Sequence, residues 1–176
     1  MFGSTDCRGS GKSVVSEALL MLLRGRDMCV QLLFSDALRK VIAPEPTYSP
    51  EERDLVSSTL VYIARLLADN GVNVIIDATG SFRRYREHAR QQIQTFIEAY
   101  LQCPLEVCMH REANRSKTYQ APKQICARAA KSAASTVPGI GQPYEPPLNP
   151  EITVDTAKIT PEECALQIMK KLLITR

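Results

Sequence analysis

Gly9-Ser10-Gly11-Lys12-Ser13 runs directly into an apolar-periodic helix, and this stretch constrains the fold of the chain more than any other. Glycines that accept positive φ let the backbone turn so that successive N–H groups converge, and the helix that follows adds its partial positive charge. The product is a cradle for phosphate. In such a cradle Lys12 reaches the β- and γ-phosphates of ATP, and the Ser13 hydroxyl ligates the Mg2+ that bridges them. Gly9, Ser10, Gly11, Lys12 and Ser13 are therefore the expected nucleotide-binding residues. The complete pattern G-x-x-x-x-G-K-[ST] opens with glycine, where this chain has Asp6, which tolerates positive φ less well and carries negative charge toward phosphate. The plain alternative is a Gly/Ser turn that only caps a helix.

Around that loop, apolar runs alternate with helical patterns, which predicts an α/β fold with a doubly wound parallel sheet and helices on both faces. Val14, Val15, Ala18, Leu19, Leu22 and Leu23 recur at helical spacing up to Gly25. Cys29 to Phe34 and Val72 to Ile76 are the clearest buried strands; Phe96 to Leu101 and Ile152 to Val154 are the others. Ser35-Asp36 is expected to cap a short helix ended by Pro44. Ser49-Pro50-Glu51-Glu52 is a capping box with proline at the first helical position, and its long helix closes at Asn70-Gly71. A basic helix over Phe82 to Gln92, a short one over Pro104 to Arg111 and a last one capped by Thr160-Pro161-Glu162-Glu163 complete the set. The strand leading into the phosphate loop is only Phe2-Gly3-Ser4-Thr5, which is short and polar for a central position. From about residue 114 to 150 the composition turns basic, small and then proline-rich, which suggests a mobile lid over the ligand. Residues 1–176 form a single domain on this reading.

A formal charge of +3 suits an anionic small-molecule substrate and gives no argument for nucleic acid. No run has the length of a membrane span and Met1-Phe2-Gly3-Ser4 carries no signal peptide, so a cytoplasmic protein is expected. The six cysteines lack C-x-x-C spacing and read as reduced thiols; Cys103 and Cys108 read as packing residues, and Cys7, within the phosphate loop, as the one to test for reactivity. His88 reads as an exposed helix residue and His110 as a partner of a helix C-terminus; two histidines without ligand spacing argue against zinc.

In a doubly wound sheet, ligands sit beyond the strand C-termini, so the residues following each strand carry the chemistry. Asp36 follows the Cys29–Phe34 run and is the catalytic candidate, as general base or metal contact, working with Lys12; its bland role is a helix N-cap. Asp77 follows the Val72–Ile76 run and is a Walker-B-like carboxylate at the metal, together with Ser13; its bland role is a turn former. Arg39 lies about one helical turn beyond Asp36. Arg83 and Arg90 fall on one helix face suited to phosphate or sulfate, whereas Arg84 and Arg86 read as solvated.

Taken together these pieces resemble the adenylylsulfate (APS) kinase family across nearly the whole chain. The resemblance rests on Gly9-Ser10-Gly11-Lys12-Ser13, Ser35-Asp36 through Arg39, Ser49-Pro50-Glu51-Glu52-Arg53, and Phe96-Ile97-Glu98 leading into Pro104 to Cys108. Its most specific part is Gly139-Ile140-Gly141-Gln142-Pro143-Tyr144-Glu145-Pro146-Pro147 with Asn149-Pro150-Glu151. The resemblance implies a P-loop kinase of sulfate assimilation that uses Mg2+ and ATP to phosphorylate the 3′-hydroxyl of adenylylsulfate, giving PAPS. It assigns Arg39, Arg53 and Arg83 to substrate, and it raises a homodimer, since the family often forms one. Several positions depart from the family pattern. Its Asp-Gly-Asp motif is Phe34-Ser35-Asp36 here, its Asn and paired Arg on the long helix are Val56, Ser58 and Thr59, its Ser-Pro-Tyr-Arg is Gly80-Ser81-Phe82-Arg83, and its lid aromatic is Val137. Asp77 stands where the family is usually apolar, and Asp77-Ala78-Thr79 is similar to kinases of the polynucleotide-kinase type. Two other readings therefore stand beside the first: a P-loop kinase for another hydroxyl acceptor, and a non-catalytic nucleotide-binding protein.

Overall fold

The strand residues divide their side chains between two helical layers, and that division builds the architecture. In the computed structural model, which describes residues 9–114 and 143–174, β1 (Val30–Phe34) and β2 (Asn73–Asp77) run parallel. Their register pairs Val30 with Asn73 and, at the far end, Phe34 with Asp77. On one face Val30, Leu32 and Ile75 pack against Leu19 and Leu23 of α1 (Lys12–Arg24) and Ile168 and Met169 of the last helix, α6 (Pro161–Ile174). On the other, Ile76, Leu33 and Val74 meet Val56, Leu60 and Ala64 of α3 (Pro50–Asp69) and Ala89 of α4 (Arg83–Gln92). The period-two alternation of a strand requires this two-sided burial, and each fully buried aliphatic side chain contributes about 1.5–3 kcal/mol.

A second parallel pair joins β3 (Ala99–Gln102) to β4 (Ile152–Asp155), and its Ala99, Leu101 and Val154 enter the same core as α1 and α6. Among the described residues the four strands are parallel to their partners and covered by helices, as expected of the α/β class. The expected strand Phe2–Thr5, with Asp6 and Cys7, lies outside the described residues, as does 115–142 of the expected lid. The remaining helices are α2 (Ser35–Ile42) and α5 (Leu105–Asn114).

Most helix ends follow their local signals. Ser49 caps α3 by accepting from Glu52 N, and α6 begins with a reciprocal box in which Thr160 Oγ1 accepts from Glu163 N while Glu163 returns to Thr160 N. Three local expectations are corrected. Ser35 and Asp36 are the first residues inside α2, whose N-cap is Phe34 with no side-chain cap, so Asp36 is not a capping residue. The third strand starts at Ala99, because Phe96 packs below α3 and α4 and Glu98 N is drawn to the Glu151 carboxylate. α5 continues to Asn114, which leaves His110 inside the helix rather than at its end.

Candidate active site

The phosphate loop is held from three sides. Gly9 and Gly11 sit at φ +104° and +87°, the left-handed region where a side chain is strained. Gly9 has a second constraint, since a Cβ there would lie 2.2 Å from the Cys108 carbonyl oxygen of α5. The buried Thr156, just beyond β4, donates its hydroxyl to the Ser10 carbonyl at 2.8 Å. From Gly11 the chain enters α1 through a Val15 N to Gly11 O bond of 2.9 Å, with no acidic residue in the first turn to compete for the helix's positive end. Lys12 Nζ reaches Ser10 Oγ at 3.3 Å, so the lysine folds back along the loop it belongs to.

Asp77, the last residue of β2, is only 6% exposed and faces this loop. Burial lifts its carboxyl pKa above the ordinary value; the charge of Lys12 and a hydrogen bond from Ser13 pull against the rise, and the carboxylates of Asp36 and Glu17 add to it. Its Oδ2 is buried without a hydrogen-bond partner. Lys12, Ser13, Asp36 and Asp77 thus form one electrostatic unit at the C-terminal edge of β1 and β2. The donor set suits Mg2+, which takes hard oxygen ligands and commonly keeps water and nucleotide phosphates as the rest of its shell. The unpartnered Asp77 carboxylate oxygen beside the Ser13 hydroxyl is the donor pair that would hold such an ion. No cluster of three or more acidic, cysteine or histidine ligands occurs among the described residues, so such an ion would also depend on nucleotide phosphates.

The expected substrate arginines fall into two groups. Arg39 of α2 is buried, paired with Glu52 and stacked 4.8 Å from the Tyr48 ring centroid, with its Nε left unpartnered. Arg53 approaches the same ring at 6.0 Å and donates Nε to Tyr48 O at 3.0 Å. Tyr48 itself holds φ +57°, a strained conformation for a tyrosine. Glu52 locks the bend: burial raises its pKa, but bonds from Thr47, Arg39 and the Tyr48 amide outweigh that and keep it below the ordinary value. Arg83 belongs elsewhere, with its amide on Glu145 Oε2 at 2.7 Å and its Nε on Pro146 O at 2.9 Å. The proline-rich segment 143–147 is thereby fastened to the start of α4.

Sequence reasoning missed several members. Thr156 follows a strand end, so the rule that singled out Asp36 and Asp77 also covers it. Tyr48 left no local signal. Arg86, expected to be solvated, is 2% exposed and ion-paired with Glu98, while Arg84 is exposed as expected. Arg90 pairs with Glu151 and Glu98. His88 is exposed. Cys108 is fully buried, and desolvation first, then Cys103, pushes its thiol pKa up to about 12, consistent with packing rather than chemistry. No described helix is long and apolar enough to cross a membrane.

Known proteins are similar to this chain over most of its length. The family model for adenylylsulphate kinase matches residues 4–155. A probable adenylyl-sulfate kinase of Pyrococcus abyssi is 34% identical over 95% of this chain and 91% of its own length. The adenylyl-sulfate kinase of Gloeothece citriformis is 33% identical, covering 96% of this chain and 90% of its own. Among solved structures, the Mycobacterium tuberculosis APS kinase in complex with AMPPNP and APS superposes with a TM-score of 0.80 at 27% identity, covering 98% of this chain and 96% of that one. With its phosphate loop, its parallel strand pairs and this degree of likeness, the chain belongs to the adenylylsulphate kinase family.

Proposed function

We propose that this protein transfers the γ-phosphoryl group of ATP to the 3′-hydroxyl of adenylylsulfate, releasing ADP and PAPS. The observation that carries the reading is the convergence of Lys12, Ser13, Asp36 and buried Asp77 beside a glycine loop, in a chain of this family. Phosphoryl transfer asks a protein for positioning and charge rather than covalent chemistry. Gly9, Ser10, Gly11 and the first turn of α1 bind the nucleotide phosphates, and Lys12 neutralises charge that builds on the leaving oxygen. Mg2+ held by Ser13 and Asp77 supplies further charge neutralisation when bound. Asp36 accepts the acceptor's hydroxyl proton as the new P–O bond forms and the bond to ADP breaks. Arg39, Arg53 and Arg83 hold the anionic acceptor. The carboxylate that the family carries where Phe34 stands is supplied one strand over, since Phe34 and Asp77 are register partners.

Transfer of labelled γ-phosphate from ATP to adenylylsulfate, with the product identified as the 3′-phosphorylated nucleotide, tests this directly. Label on another hydroxyl compound alone would assign a different acceptor. Nucleotide binding with no transfer would leave a binding protein. A cytoplasmic location and a homodimer belong to the same proposal; light scattering is expected to give twice the 19.6 kDa chain mass.

A further inference from the structure

A guanidinium removed from water costs several kcal/mol unless pairing and hydrogen bonds replace the lost solvent. Arg86 is such a group. It is 2% exposed, and its Nε lies 2.6 Å from Glu98 Oε1 in an ion pair whose angle is poor for a hydrogen bond. Its other nitrogens go to two separate backbone carbonyls: Nη1 to Gly80 O, in the loop after β2, and Nη2 to Glu145 O at 2.7 Å, in the proline-rich segment. The Tyr144 ring lies 5.9 Å from the same guanidinium. One planar fork therefore ties together two stretches distant in sequence, which a lysine's single point charge does not reproduce.

The two stretches are zipped further by bonds that all bear on Arg83. Glu145 N donates to Ser81 O at 2.8 Å, Glu145 Oε2 accepts from Arg83 N, and Pro146 O accepts from Arg83 Nε. Among the described residues neither Nη of Arg83 has a partner, so the outer end of that arginine is aimed by the segment that Arg86 holds. Behind the zipper, Glu151 takes Glu98 N at 2.7 Å and pairs with Arg90, which fixes the carboxylate that keys Arg86.

We propose that Arg86, keyed by Glu98, is a positioning residue for the acceptor side of the site: it touches no substrate, but it sets where Arg83 presents its donors to the anionic acceptor. The inference rests on Arg83 contacting that acceptor. Arg86→Lys keeps the charge and loses the fork. It is expected to raise KM for adenylylsulfate about tenfold while kcat and KM for ATP move less than about twofold. Glu145→Gln, in a half-buried segment, weakens the hold on the Arg83 amide and is expected to raise the same KM about threefold. If Arg86→Lys fails to fold, Glu145→Gln decides. Equal shifts in both KM values, or no shift in folded variants of an enzyme that turns over adenylylsulfate, would overturn the inference alone. Wild-type protein that neither binds nor phosphorylates adenylylsulfate would overturn the proposed function and the inference with it.

Discussion

Burial of the Asp77 carboxyl carries a cost that its proposed role explains. Its pKa is raised on folding from 3.8, chiefly by burial, so the folded state holds the proton more tightly than the unfolded chain does. Stability on this account is greatest below the unfolded pKa and declines as pH climbs through the interval up to the folded one; above it the buried charge is a standing penalty. Asp77→Asn is therefore expected to melt higher than wild type at pH 7, by about 2–4 °C for each kcal/mol relieved, and the gap should close below about pH 4. The same variant should lose about 100-fold or more of its Mg2+-dependent turnover. Unchanged metal-dependent activity in Asp77→Asn would remove Asp77 from the site. Gly9 is under a purely steric constraint: Gly9→Ala must place a Cβ against the Cys108 carbonyl at positive φ, and a loss of about 1–3 kcal/mol in denaturant unfolding is expected.

Between elements, the phosphate loop depends on β4 through one hydroxyl. Thr156→Val leaves the Ser10 carbonyl unpaired in a buried place, which costs about 1–3 kcal/mol, and it should raise KM for ATP before it affects KM for the acceptor. The caps make a milder case: Ser49→Ala at the start of α3 is expected to cost about 1 kcal/mol, read as a shift in the denaturant midpoint. Elements of this kind were legible in the sequence because their signals are local. Gly25 ends α1, Ser49 and Thr160 open α3 and α6, and the apolar runs Cys29–Phe34 and Val72–Ile76 place β1 and β2 to within one residue. Apolar character alone misplaced β3, since Phe96 packs half-buried against the cluster of α3 and α4, and Ile97 is buried, before that strand begins. Arg86 was illegible for a stronger reason. A basic run on a helix is normally solvated, and only the folded chain brings Glu98 and the Glu145 carbonyl to it.

At the scale of the molecule, parallel strands with helices on both faces leave one rim for chemistry, and the expected nucleotide residues, Asp36 and Asp77 gather there. The arginines proposed for the acceptor divide between an α2–α3 corner built around Tyr48 and the α4 corner that carries Arg83. Phe34 closes β1 as an apolar member of the core, opposite Asp77 in the neighbouring strand. On the proposed function, this rim performs transfer with its carboxylate moved from one strand to the next. The decisive measurement is ADP release from Mg-ATP, followed with and without adenylylsulfate beside a folded Lys12→Ala control. Wild-type protein is expected to release ADP in response to adenylylsulfate, and the control to lose about 100-fold or more of that release. Folded wild-type protein that releases no ADP in response to adenylylsulfate would contradict the proposed function.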